Sequence, residues 1–498
     1  MAARTIDVKI EFKWDGTNWV NETQNFLSVT GAHELVAPAD AYQSGKQVIQ
    51  QCQVTLANQD LRFSMENTAS TIYTYIQDGK LYQTPFRLSV NIDAGGWEYV
   101  FVGYIKLPRY DYVRNTVTFT VWDVGELLRK KYSTAMLENY LEHEVVIHYL
   151  ELAGLTDGVD FVSPEYHAAN PSVPATIEYS TTPIPYSWLD DEPIWGEIID
   201  ISQASGARVY VDRNGLVHYE KATLWAMGYA YTPETLTNAD MAAFTPEYDD
   251  KAFFDAVVVE YTERAPGSGG EELWKLTKPK VILAGQTENI IARLRYPAIA
   301  LDAMTANDTY YLTDIAGNDV TGSVTPTLTP AYAQQATINI TNSLSYAIVL
   351  SQASLTGLGI HGQPTEQYQQ DITTPTYGRQ IDVRGNPYLQ TRLQAEGVAQ
   401  FVAWWYEALK PKYTIQNVPG VATREIGQRI ILQWIDNINE VVQEDTCIIT
   451  KIDWNISINK VGAVAFAQNI QAIKDTFGAG DYFIIGTSTL GGPAVLWY

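Results

Sequence analysis

The stretch NPYLQTRLQAEGVAQFVAWWYEALKP, residues 386–411, decides how the rest of the chain is read. An Asn side chain can accept from the free amides of a first helical turn, and Pro fits the first helical position. A helix is therefore expected to start at Asn386-Pro387. Tyr388, Thr391, Ala395, Val398, Val402, Trp405 and Leu409 recur at alternating steps of three and four, which puts them on one stripe of that helix. Lys410-Pro411 ends it. A short polar strand with Tyr377-Gly378-Arg379 precedes the helix, and strand-like runs follow at 427–434, 446–454 and 462–473. Ile431, Ile449, Ala463, Ala465 and Ala467 alternate as the inward positions of half-buried strands would. A helix feeding an antiparallel meander is a compact unit, and nothing in its pattern carries chemistry.

Working outward, 498 residues suffice for about three to four domains with ample core. There are 33 Lys and Arg against 57 Asp and Glu, a net charge of −24. Such a surface repels nucleic acid and anionic membrane, so neither is expected as a bulk partner. Cys52 and Cys447 lie far apart and read as buried thiols rather than a disulfide scaffold. Residues 1–9 lack an apolar signal core and no run approaches a membrane span, so a soluble, cytosolically made protein is expected. The 32 Tyr and 13 Trp suit sheets and protein interfaces, because each ring buries a large area and keeps a polar handle.

The N-terminus opens as a strand: Ile6, Val8, Ile10, Phe12 and Trp14 alternate with charged residues, and Asp15-Gly16 makes a turn. Further strands are expected around Val54, at 86–90, 99–105 and 117–122, then a short helix capped by Asp123. This is a first, mostly β domain, 1–133. Residues 134–235 change period. Helices are expected at 143–152 and 188–204, the second opened by Asp190-Asp191-Glu192-Pro193 and stopped by Gly206, with a hairpin around Arg213-Asn214-Gly215. That is a small inserted α/β domain. A strong strand at 253–262 follows. Residues 277–375, rich in Thr, Ala and Asn with almost no helix signal, read as an inserted β-sandwich. It would interrupt one discontinuous domain made of 236–276 and 376–475. The segment 476–498 is apolar, with no charge after Asp481. It is expected to dock on a partner through Phe483, Ile485, Leu496, Trp497 and Tyr498.

Candidate chemistry is thin. His143 and His148 flank a zinc-protease-like run, but they lie five apart where H-E-x-x-H needs four. At 3.6 residues per turn their rings diverge by roughly 140°. Asp190, Asp191, Glu192, Glu197 and Asp200 form the densest carboxylate cluster; acidic residues opening a helix are already explained by capping and the helix dipole, so a glycosidase pair is not assigned. Asp314 with Gly317-Asn318-Asp319 lacks calcium-loop spacing, and the loop 266–270 lacks the Lys of a phosphate loop. Trp404-Trp405-Tyr406 suggests a sugar platform, yet Trp405 falls on the core stripe. No catalytic residue, metal ligand or cofactor is assigned.

Several stretches together resemble the trimeric hub proteins that cap the tail tube of tailed bacteriophages. Leu56-Ala57-Asn58-Gln59-Asp60-Leu61-Arg62-Phe63-Ser64 looks like that family's L-x-N-x-D-G-R-F/Y-S turn, with Leu61 where Gly is common. Phe101-Val102-Gly103-Tyr104-Ile105 is similar to its F-x-G-x-I strand, and Val121-Trp122-Asp123 with Leu127-Leu128 to the step closing its first tube domain. Tyr186-Ser187-Trp188-Leu189 and the Arg213 hairpin resemble its inserted α/β domain. Tyr377-Gly378-Arg379 and Ile426-Gly427-Gln428-Arg429-Ile430 resemble its second tube domain, with Gly-Gln where Gly-Asp is frequent. The resemblance implies a mainly β fold with α+β parts: two tube-type β-barrel-like domains carrying the two insertions. It implies a structural virion protein at the tail tip, assembled in the host cytoplasm, that forms a homotrimer. Its partners would be the distal tail, tape-measure and fibre or tip proteins. DNA would pass only in transit, through a channel poor in Lys and Arg. A receptor- or glycan-binding tail component and a tail-associated cell-wall hydrolase are the alternatives.

Overall fold

The computed structural model describes residues 4–34, 49–64, 66–70, 72–77, 81–221, 233–248, 254–372, 378–406, 411–435, 442–458 and 462–474. The fold is mainly β with α+β parts. Its frame is one fourteen-stranded sheet drawn from two distant parts of the chain. The first part supplies Ile6–Phe12, Val20–Asn21, Phe26–Glu34, Gln51–Ala57, Pro85–Ile92, Trp97–Ile105, Arg109–Asp111 and Thr116–Trp122. The second supplies Glu234–Thr237, Ala243–Glu247, Lys412–Pro419, Arg429–Ile435, Val442–Ile458 and Val464–Lys474.

The two parts join along a single antiparallel strand pair, Phe26–Glu34 against Val442–Ile458, in register from Ser28 opposite Ser457 to Glu34 opposite Lys451. Gly31 faces Trp454 across this seam. A Cβ on Gly31 would lie 2.3 Å from the Trp454 indole, so only Gly lets that ring lie flat over the strand. Trp454 also meets His33 and Phe101 at 6.3 and 6.2 Å. His33 is buried, bonded to the Val100 carbonyl, and burial lowers its pKa to about 4, so it stays neutral. One apolar core runs beneath both halves, from Ile10, Phe12 and Phe119 to Ile415, Ile449 and Ile470.

The period of the C-terminal strands is as expected, but the phase of two of them is reversed. Ile430 and Leu432 point into the core rather than Ile431, and Phe466, Gln468 and Ile470 do so rather than Ala463, Ala465 and Ala467. Ile449 is buried as expected. A run of small alternating residues has two readings one residue apart, and the larger Phe466 and Ile470 side chains decide between them because they gain more from burial.

The segment 131–220 folds as helices Glu142–Leu152 and Ile194–Ser205 and the hairpin Arg208–Val211/Val217–Glu220. The second helix begins at Ile194, not 188. The acidic run Asp190–Pro193 is a short strand paired with Lys131–Ser133, so it does not cap the helix. Gly206 ends that helix in the left-handed conformation, φ 69°. Asp123 caps a short helix as expected, a 3₁₀ helix over Val124–Arg129, its side chain accepting from the Gly125 amide.

The hairpin is clamped to the central sheet by polar contacts at its tip. Arg213 at its tip donates to the Ala422 carbonyl at 2.8 Å and pairs with Glu425 at 3.3 Å. Behind it, Arg208 pairs with Glu220, and His218 lies 3.4 Å from both Asp212 and Glu220. Burial alone would lower the His218 pKa, but Asp212 and Glu220 outweigh it and hold the imidazole at about 9. Burial, reinforced by Asp212, pushes Glu425 up to about 8.

The other insertion is a β-sandwich, as expected. Its long strand Ile348–Gly362 pairs with Arg264–Pro266, Glu271–Lys275, Lys280–Ile282, Ala298–Leu301 and Tyr310–Asp314. The three-stranded sheet of Thr287–Arg293, Thr327–Ala331 and Gln335–Thr341 covers it over a core of Leu273, Leu312, Ile338, Ile340 and Leu350. Its limits differ from those expected. The strands at 264–275 belong to it, whereas Glu366–Asp371 leaves it to pair with Ala256–Tyr261. Ala256–Tyr261 in turn pairs in parallel with Gln380–Val383, so the chain before and after the insertion runs side by side.

The helix that opened the sequence reading spans Arg392–Tyr406. Its cap is Thr391, whose hydroxyl accepts from the Gln394 amide, not Asn386. Asn386 instead turns the preceding loop by accepting from the Tyr388 amide. Tyr388, Ala395, Val398 and Val402 are buried as the stripe predicted, and Thr391 is half-buried. Leu409 and Lys410, and the side chains of Trp404 and Trp405, lie outside the described residues. The expected unit of helix plus meander is divided, however: the helix packs into the core of the α/β insertion and strand Ala256–Tyr261, while the meander lies on the central sheet.

Two outcomes are expected. Val402→Asp should cost at least about 3 kcal/mol, because an unpaired charge would enter a closed apolar core; thermal melting reads it, and an unchanged midpoint would put the stripe on the surface. The clamp should also weaken in alkali. His218 and Glu425 both have folded pKa values above their ordinary ones. Their contributions are present below about pH 6.5 and 4.5 respectively, and are lost as pH rises through about 9 and 8. From these two groups stability should fall from about pH 4.5 to about 9 and level off above, and His218→Gln should flatten the part of that slope above about pH 6.5 in a melting series.

Candidate functional surface

Alternation in the central sheet sends every second side chain away from the core. Across the seam these outward residues line up in rows. One row is Thr118, Thr55, Ser28, Ser457 and Ala465; the next is Thr120, Gln53, Thr30, Asn455 and Ala467. Thr55 and Thr118 share a hydroxyl hydrogen bond of 3.2 Å, which holds them on one face. Neither row contains a charge. Charge begins at the edges: Arg109 opposite Thr118 and Asp111 opposite Thr116 on one side, and at the rim, in the rows beyond, Asp453, then Glu34 and Lys451, with Lys451 bridging Glu34 at 3.6 Å and Asp453 at 3.5 Å. At the same rim Trp122 carries Lys106 and Arg129 over its ring. A shallow groove of about 480 Å³ crosses the seam, edged by Thr30, Gln53, Asn455, Ala467 and Asn469.

Such a face has definite chemical properties. Hydroxyls and amides exchange hydrogen bonds with water and with any passing chain, and at neutral pH they offer no charge to grip one. Neither row contains a nucleophile beside a base. The face was missed as a site in the sequence, although its signal is present: Gln51, Gln53 and Thr55, Thr116, Thr118 and Thr120, and Asn455 and Ser457 all recur at period two. What was missing was the register that sets these runs side by side.

The sequence-derived candidates are scattered. His143 is buried, accepts from the Ser180 amide at 3.2 Å, and has its pKa lowered by burial; among the described residues no group of His, Cys, Asp and Glu is arranged to hold a metal ion. Asp314 accepts from the Asn318 amide and side chain at 2.8 and 2.7 Å, a plain polar turn. Cys52 and Cys447 are free and buried. Glu197 and Asp200 lie on the helix Ile194–Ser205, which follows directly on the strand that carries Asp190, Asp191 and Glu192, and Glu197 lines one cavity with Asp190 and Glu192. Burial raises Glu197 to about 7 against a hydrogen bond from Tyr388, and Asp200 to about 6. Phe483, Ile485, Leu496, Trp497 and Tyr498 lie outside the described residues.

No family model matches the sequence, and no curated protein does. Among solved structures, the chain is similar to a tail protein from Neisseria meningitidis MC58, with 11% identity over 95% of this chain and 97% of that one and a TM-score of 0.45. It is similar to the 43 kDa tail protein of prophage MuSo2 from Shewanella oneidensis, with 11% identity over 94% and 98% and a TM-score of 0.43. It is also similar to the E. coli c3393 protein, a type VI secretion component described as similar to T4 tail proteins gp27 and gp5, with 9% identity over 90% and 73% and a TM-score of 0.37.

Proposed function

We propose that the chain is a structural hub of a phage-type tail tip. Three copies form a ring that caps the tail tube and joins it to the distal machinery, and the neutral face of the central sheet lines the channel. The observation that carries this reading is the pair of uncharged rows running unbroken across the seam. DNA binds protein mainly by phosphate contacts to Lys and Arg, so a wall of Thr, Ser, Asn and Gln gives it nothing to hold. The net charge of −24 repels it further.

The two parts of the central sheet serve as two tube-type units of one subunit. Three copies then present six such units, which lets a threefold hub meet a sixfold tube. Head-to-tail contacts whose rotation closes give rings. The distal tail, tape-measure and fibre or tip proteins are the neighbours this position implies. The apolar segment 476–498 is assigned to docking on one of them, through Phe483, Ile485, Leu496, Trp497 and Tyr498. The place of action is the tail tip of the virion, after assembly in the host cytoplasm. The role is mechanical, and no hydrolytic step is assigned to Glu197 or its neighbours.

Thr30→Lys and Asn455→Lys, both exposed on the neutral face, should leave the fold intact within about 0.5 kcal/mol. They should slow DNA release from otherwise complete particles, the more so at low salt. Three copies per particle are expected by quantitative protein counting; six or one would overturn the ring. The purified chain should give no clearing zone on a peptidoglycan gel, and a zone that vanished with Glu197→Gln would establish the hydrolase instead.

A further inference from the structure

A second cavity lies outside the neutral face, where the α/β insertion, the sandwich and the loop before the helix Arg392–Tyr406 meet. Its volume is about 210 Å³, and its walls include Trp188, Glu192, Glu197, Arg264, Gln334 and Tyr388. Tyr388 is buried, and its hydroxyl donates to Glu197 at 2.5 Å. Behind it the Tyr149 hydroxyl lies 3.4 Å from that of Tyr388 and 2.5 Å from that of Ser187, so this wall is held by a chain of hydrogen bonds. The Arg264 guanidinium lies over the Trp188 ring, 4.3 Å from its centre. No described carboxylate pairs with it, and burial lowers its pKa to about 10.

These walls discriminate between kinds of ligand. An anion would meet Glu192 and Glu197, and Asp190, which also lines the cavity and pairs with Arg293 at 3.7 Å. A cation would meet Arg264. An apolar ligand would strip water from the guanidinium and the carboxylates and leave them unpaired, which is costly. A neutral polyhydroxylated ligand suits all of them at once, because each hydroxyl both donates and accepts. It can donate to Glu192 and Glu197 and accept from Arg264 and the Gln334 amide. Trp188 offers aromatic surface beside these polar groups, the usual partner of a sugar's C–H face. The volume equals roughly seven waters at about 30 Å³ each, room for a small molecule rather than a chain.

We propose that this cavity binds one neutral sugar residue, held between Arg264 and the carboxylates of Glu192 and Glu197. The proposal is independent of the tail-hub reading and stands on the cavity alone.

Saturation-transfer NMR on the full chain tests it, with glucose, galactose, mannose, rhamnose and N-acetylglucosamine as millimolar probes and glucuronate and glucosamine as charged counterparts. At least one neutral sugar should show transfer, and more strongly than either charged counterpart. Arg264→Gln and Glu192→Gln should each weaken it about tenfold or more, since each removes a charge-assisted hydrogen bond. Glu192 is exposed, so its variant stays folded even if the half-buried Arg264 change does not. Absence of transfer from every neutral sugar, tighter binding of a charged counterpart, or undiminished binding by the folded Glu192→Gln variant would each overturn the proposal.

Discussion

One strand pair holds this molecule together as a single frame. Phe26–Glu34 hydrogen-bonds to Val442–Ile458, and without that pairing the fourteen-stranded sheet would be two separate sheets. The pairing is possible because Gly31 leaves room for Trp454, whose indole occupies the space where any other side chain would begin. The ring then bridges the two halves of the core, touching His33 and Phe101 from the other part of the chain. A large aromatic surface buried at a seam is an efficient tie, since its transfer from water is worth more than that of any aliphatic residue. The cost is a neighbouring histidine kept neutral by burial.

The neutral face follows from the same pairing. Outward residues of five strands come into line only because the seam sets their register, and a slip by one residue would exchange Thr30 and Asn455 for Gly31 and Trp454. The core therefore fixes the chemistry of the opposite face. Charge stands at the edges of that face, Arg109 opposite Thr118 at one and Lys451 bridging Glu34 and Asp453 at the other. The α/β insertion is joined by different physics. Arg213 ties it to the sheet through Glu425 and the Ala422 carbonyl, with His218, Asp212 and Glu220 bracing the hairpin from within, so its attachment responds to pH in a way the seam does not. The cavity at the junction of the insertions shows a further consequence of this construction. Modules packed against one another leave polar side chains such as Arg264 half-enclosed at their borders, and such borders are where binding sites commonly form.

The sequence by itself determined the kinds of element and much of their order. Period-two runs marked the strands of the first half, Gly206 marked a helix end, and a 3-4 stripe marked the buried face of the helix at 392–406, because these depend on neighbours a few residues away. It also showed a chain unsuited to gripping nucleic acid. Only the tertiary structure decided the rest. The phase of the Ala463-to-Ala467 strand depended on which larger residues a distant core could take in. The helix start moved to Thr391 because Asn386 was committed to the loop before it, bonded to the Asp200 carbonyl and the Tyr388 amide. The run at Asp190, legible locally as a helix cap, became a strand because Lys131–Ser133 offered it a partner. The neutral face and the mixed-charge cavity are absent from any single stretch. Both are made of residues hundreds of positions apart, and long-range register and packing, not local preference, bring them together.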